Sequence, residues 1–90
     1  MSLEQLEAKT KWVAAEVFSQ FGLVFDEENA NVSFTKSFMK DTCTLLVFGS
    51  IFPIRAEEIM DVLEEKFFKA FTDITMERHG NESISITVRA

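Results

Sequence analysis

Thr42-Cys43-Thr44-Leu45-Leu46-Val47-Phe48-Gly49-Ser50-Ile51-Phe52 is the stretch on which the fold turns. β-branched and aromatic residues dominate it, which favours an extended strand. Side chains alternate across a strand, so Leu45, Val47 and Ile51 fall to one side. Leu46, Phe48 and Phe52 fall to the other. A strand that is apolar on both sides belongs in the middle of a sheet or under cover on both faces. A central strand over 42–52 is therefore the first expectation.

Its neighbours follow from the flanking sequence. Upstream, Val32 to Phe38 alternates, with Val32, Phe34 and Phe38 on one side and Ser33, Thr35 and Ser37 on the other. Lys36 interrupts the apolar side. Met39-Lys40-Asp41 then reads as a hairpin connection to the long strand. Further upstream, Ser2 and Gln5 have capping-box spacing. The spacing of Leu6, Val13, Ala14, Val17, Phe18 and Phe21 predicts a helix over about 3–20, stopped by Gly22. Leu23 to Phe25 is a candidate short strand, followed by a polar turn from Asp26 to Asn31.

Downstream, Pro53 ends the strand and opens a second helix over about 55–72. Ala56, Ile59, Met60, Leu63, Phe67, Ala70 and Phe71 make one continuous apolar face. Glu57 and Glu58 near its start and Lys66 and Lys69 near its end suit the helix dipole. Ile74 to Arg78 and Ser83 to Arg89 read as a last hairpin, with Gly80-Asn81 suited to a type II′ turn.

The order α-β-β-α-β-β describes a single α+β domain over 1–90. The simplest architecture is a two-layer sandwich, a mostly antiparallel sheet with both helices on one face. The same order is a circular permutation of the ferredoxin-like βαββαβ arrangement. That permutation predicts the second and fourth strands as central neighbours. With Leu23–Phe25 counted as a strand, the order α-βββ-α-ββ resembles type III secretion chaperones in element order and acidity, without their third helix.

Composition narrows the function classes. The ninety residues include ten Phe and no Tyr, so the core gains large rings without hydroxyls that need partners. The net charge of −6, with only nine Lys and Arg scattered along the chain, argues against nucleic acid and anionic membranes as partners. A basic protein partner remains compatible. Cys43 is the only cysteine, so no internal disulfide forms. With no secretory signal pattern, the default location is cytoplasmic.

Catalytic groups are sparse. His79, the only histidine, is expected at a hairpin turn beside Arg78 with no orienting partner nearby in sequence. Cys43 reads as a core filler and not as a reactive thiol. The isolated Gly22, Gly49 and Gly80 form no phosphate loop. Asp26-Glu27-Glu28 lacks calcium-loop spacing. The expectation is a non-enzyme with no cofactor and no metal.

The surplus of apolar positions carries the functional expectation. Trp12 falls outside the first helix's apolar stripe, and Phe68 outside the second's. One side of 42–52 must also be exposed or covered by another chain. Trp12, Leu45, Leu46, Val47, Phe48, Ile51, Phe52 and Phe68 are the candidate interface. The expected function is a small interaction module, homodimeric, acting as adaptor, small chaperone or assembly subunit. The alternative is a small-molecule-binding domain or accessory enzyme subunit. It would use the hydroxyls of Ser33, Thr35, Ser37, Thr75, Ser83, Ser85 and Thr87 on the helix-free sheet face.

Overall fold

The computed structural model describes residues 1–28, 31–52 and 55–90. Helix α1 spans Leu3–Gln20, strands β1 and β2 span Val32–Ser37 and Thr42–Phe48, and a 3-10 turn covers Gly49–Ile51. Helix α2 spans Ala56–Ala70, and strands β3 and β4 span Ile74–His79 and Ser83–Arg89. The four strands form one sheet in the order β1-β2-β4-β3, with every neighbouring pair antiparallel. β2 and β4 are thus the central neighbours that the permuted βαββαβ order requires. Both helices cover one face of the sheet.

Local chemistry explains the elements. The Ser2 hydroxyl accepts from the Gln5 N–H while the Gln5 side chain accepts from the Ser2 N–H, closing the capping box of α1. Gly22, at φ +73°, continues the chain beyond the helix in a conformation that suits glycine. Arg55 stands at the start of α2 in the left-handed region, with its guanidinium over the Phe21 ring at 4.7 Å. In the last hairpin Gly80 has φ +57°, and the Glu82 N–H donates to the His79 carbonyl at 2.9 Å.

The core lies between helices and sheet. Leu6, Val13, Val17 and Phe18 of α1 and Ile59, Met60, Leu63 and Phe67 of α2 face Leu45 and Val47 of β2 and Ile84, Ile86 and Val88 of β4. Phe18 meets Phe25 and Phe52 edge to face, each at 5.4 Å between centroids. The buried hydroxyl of Thr10 donates to the Leu6 carbonyl at 2.7 Å, and no buried side-chain N or O among the described residues lacks a partner.

Several sequence expectations need correction. The strand expected over 42–52 stops at Phe48, because Gly49 turns the chain. The Gly49 N–H donates to the Glu82 carbonyl at 2.7 Å, and a Cβ at Gly49 would lie 1.9 Å from the Asn81 carbonyl oxygen. Only glycine allows that approach of two backbones. Beyond the turn Phe52 enters the core beside Phe18, instead of sharing a face with Leu46 and Phe48. Leu23–Phe25 is not a strand; Phe25 packs on Phe18 from an irregular segment. The α-βββ-α-ββ order, and with it the resemblance to type III secretion chaperones, therefore lapses. Phe38 lies beyond β1 in the hairpin turn, and α2 ends at Ala70, with Phe71 extended. The role given to Pro53 falls outside the described residues.

Candidate interaction face

The strand registers define the helix-free face row by row. Residues paired across antiparallel strands point to the same side. Thr35, Thr44, Thr87 and Thr75 form one row running across all four strands. Ser33, Leu46, Ser85 and Glu77 form the next. Phe48, Ser83 and His79 close the face at one end, and Ser37, Thr42 and Arg89 close it at the other. The Thr44 and Thr87 hydroxyls lie 3.0 Å apart and share a hydrogen bond. The charged groups among these residues, Glu77 and Arg89, stand at the periphery, so the centre is uncharged.

The eight candidate interface residues divide among four places. Leu45, Val47 and Phe52 belong to the core, which removes them from any surface. Ile51 is half-buried beside the core. Leu46 and Phe48 lie on the helix-free face, Leu46 half-buried and Phe48 39% exposed. Trp12 and Phe68, 62% and 53% exposed, project from the helical layer. They do not meet. Trp12 borders a cavity of about 220 Å3 shared with Val17, Lys66 and Ala70, on the side of α2 that faces α1. Phe68 follows Asp61 and Glu64 at helical spacing, and that flank of α2 is reached from β3 by Arg78. No flat partner touches Leu46, Trp12 and Phe68 together.

Both edge strands turn a cation toward the helices. Lys36 of β1 is paired with buried Cys43, so it shares the helix-facing side, and its ammonium lies 3.1 Å from the Glu7 carboxylate of α1. Arg78 of β3 is paired with buried Ile84, and its guanidinium bridges Asp61 and Glu64 of α2. Lys36 chiefly holds the Glu7 carboxyl below the usual glutamate range, and Asp61 chiefly holds the Arg78 guanidinium above its ordinary value. An inward-pointing charge on an edge strand opposes pairing with a further strand. The sequence carried the signal for both groups, a basic residue at the apolar phase of an alternating strand. Their carboxylate partners needed the fold.

Groups with potential chemistry are dispersed. His79 lies exposed, 3.3 Å from the Glu77 carboxylate. The thiol of Cys43 is buried, and burial is the main cause that pushes its pKa up. Among the described residues, no three of His, Cys, Asp and Glu cluster as metal ligands, and no helix is long and apolar enough to cross a membrane. The acidic side of α2 is largely engaged internally: Arg55 forks onto Glu58, and Lys69 pairs with Glu65 at 2.9 Å. No protein-family model, curated protein or solved structure matches this chain, so the helix-free face is read from its own chemistry.

Proposed function

We propose that this chain is a small, non-enzymatic interaction module of the cytoplasm, an adaptor, small chaperone or assembly subunit, that self-associates through its helix-free sheet face. The observation that carries the reading is that face itself. Leu46 and Phe48 stand on central β2 in an uncharged field of serine and threonine, on a protein of which 27% of residues are charged. Depletion of charge at the centre, with a polar rim, is how interfaces differ from the surrounding surface. The edges favour the face over strand addition, since Lys36 and Arg78 guard both margins.

Size sets the expected strength. Four strands about seven residues long present a face of roughly 20 by 24 Å. That falls short of the approximately 800 Å2 per partner of a standard interface, so the association is transient, with a dissociation constant on the order of micromolar or weaker. The second reading, a polar small-molecule site, draws on the same hydroxyls. It is disfavoured because the Thr44 and Thr87 hydroxyls at the centre of the face already share a hydrogen bond, which leaves one donor fewer for a ligand.

Sedimentation velocity across a concentration series tests the proposal. The wild type is expected to show a reversible monomer–dimer equilibrium. Leu46→Glu, which places a carboxylate at the centre of the face, is expected to sediment as a monomer with an unchanged circular dichroism spectrum. A wild type that stays monomeric at the highest attainable concentration overturns the reading.

A further inference from the structure

We infer that the groove between α1 and α2 receives an amphipathic helix of another protein, with one apolar side chain anchored against Trp12, a carboxylate over Lys66 and a basic group over Glu16. The groove lies in the helical layer, across the sheet from the face proposed for self-association, and does not depend on that proposal. The two helices run antiparallel. The Lys9 ammonium near the start of α1 donates to the Ala70 carbonyl at the end of α2, and Arg55 before α2 lies over Phe21 after α1. Between the helices, Val13, Val17 and Ala70 line the cavity of about 220 Å3 that Trp12 borders. Trp12 is 62% exposed, and Ala8 and Ala15, one turn to either side of it, are exposed as well. Small neighbours let a partner backbone approach the indole, and tryptophan is enriched among the side chains that dominate binding energy.

Size and backbone chemistry select the form of the occupant. The cavity is smaller than the roughly 300–1,000 Å3 of pockets that enclose small molecules, and suits a single large side chain. An extended peptide gains its hold from a strand edge, but both rims here are helices whose backbone groups are bonded within the helix. A docked helix satisfies its own backbone. The lining from Trp12 to Gln20 covers about two turns, roughly 12 Å, which is the reach of an i, i+4, i+7 ridge. Both helices of this chain bury their own apolar faces in the core. The described residues thus hold no spare amphipathic helix, and the occupant comes from another protein.

Charge selects the flanks of that helix. The charged residues that line the cavity are Glu16, Lys66 and Lys69. Lys69 is paired at 2.9 Å with Glu65, which lies on α2 but outside the cavity. Neither Glu16 nor Lys66 joins an ion pair among the described residues. The other basic groups on the two helices and at the start of α2 are engaged: Lys9 with the Ala70 carbonyl, Lys11 with Glu7 and Glu27, and Arg55 with Glu58. The groove thus offers one unpaired group of each sign, Glu16 on the α1 rim and Lys66 on the α2 rim, with an apolar floor between them. A helix with a carboxylate on one flank and a basic group on the other matches both rims. Reversing its direction would set like charges against each other, so the same pair fixes its orientation.

The experiment selects binders of the wild type from a displayed library of tryptophan-free helical peptides, randomised at the i, i+4 and i+7 positions and along both flanks. Selected peptides are synthesised with a fluorescent label and titrated by anisotropy against wild type and variants whose fold is checked by circular dichroism. Emission of Trp12, the only tryptophan, is followed with unlabelled peptide. Binding is expected to shift that emission to the blue. Trp12→Ala is expected to weaken binding about tenfold or more. Lys66→Glu is expected to weaken it about threefold, with affinity restored when the acidic residue of the peptide that faces it is replaced by lysine. Leu46→Glu, on the far side of the sheet, is expected to bind as the wild type does, whether or not the protein self-associates. A library that yields no binder, or binders indifferent to Trp12→Ala, overturns the inference. Binders that need Trp12 but respond to neither Lys66→Glu nor Glu16→Lys overturn the charge recognition. Emission of the protein alone that shifts with concentration, and ceases to do so in Phe68→Ala, makes a second copy the occupant and likewise overturns the inference.

Discussion

The two sides of β2 place nearly the same residues in opposite environments. On the helix side Cys43, Leu45 and Val47 have no solvent exposure. On the other side Thr42 is buried at the start of the strand, Thr44 and Leu46 are half-buried and Phe48 is exposed. Leu45 and Leu46 are chemically identical and adjacent, yet only Leu45 is enclosed by helix side chains. Position relative to the pleat, and not hydrophobicity, decides which apolar group holds the fold and which is left for other uses.

Truncation gives the largest separation of the two sides. Leu45→Ala is expected to cost about 3–4 kcal/mol, the transfer term plus an unfilled cavity. Leu46→Ala is expected to cost under about 1 kcal/mol, because the site is already partly open to water. Urea denaturation of the two variants reads the contrast directly, and equal losses would show that the outer side is as tightly packed as the inner.

A second variant acts where the two sides exchange. Gly49→Ala is expected to cost about 2–3 kcal/mol, since the new Cβ meets a backbone oxygen that cannot move away cheaply. Loss of near-ultraviolet ellipticity from the phenylalanine cluster would accompany it if Phe52 is displaced. Gly22→Ala meets no neighbouring atom and carries only the strain of its positive φ, which makes it the control.

The smallest effect lies at the rim, where Lys36 ties β1 to α1. Glu7 has a depressed carboxyl pKa in the folded protein. Its contribution is therefore present above the unfolded value and is lost as pH falls through the folded one. Glu7→Gln is expected to lower stability by about 0.5 kcal/mol near pH 7. The gap to the wild type should close below about pH 4. A gap that is constant with pH would assign the effect to shape and not to charge.

Much of the fold was legible because each element had its own local signal. The capping box at Ser2 and Gln5, the apolar stripes of both helices and the Gly80-Asn81 turn each act over a few residues. Two errors came from interactions that no local pattern encodes. Nothing around Gly49 reveals that the Asn81 carbonyl will lie against it, so in the sequence the alternation reads on to Phe52. Leu23–Phe25 has strand-like residues, but Phe25 is held by the ring of Phe18 and not by a neighbouring strand. The candidate face was half legible. The serines and threonines of β1, β3 and β4 alternate visibly, while the signal of Thr42 and Thr44 is masked by the apolar run that follows them. Trp12 and Phe68 fall outside the apolar stripes in the sequence and are exposed in the structure, but their placement on separate flanks depends on where α1 and Arg78 lie relative to α2.

The contact at Gly49 also bears on how the molecule opens. Its amide hydrogen is held by Glu82, whose own N–H closes the final turn. The end of β2 thus cannot loosen without the last hairpin loosening too, although more than thirty residues separate them in the chain. Cooperative behaviour follows: the Gly49 amide should exchange with deuterium at a rate tied to that of the β4 amides, making one proton a reporter on the joining of both halves of the chain.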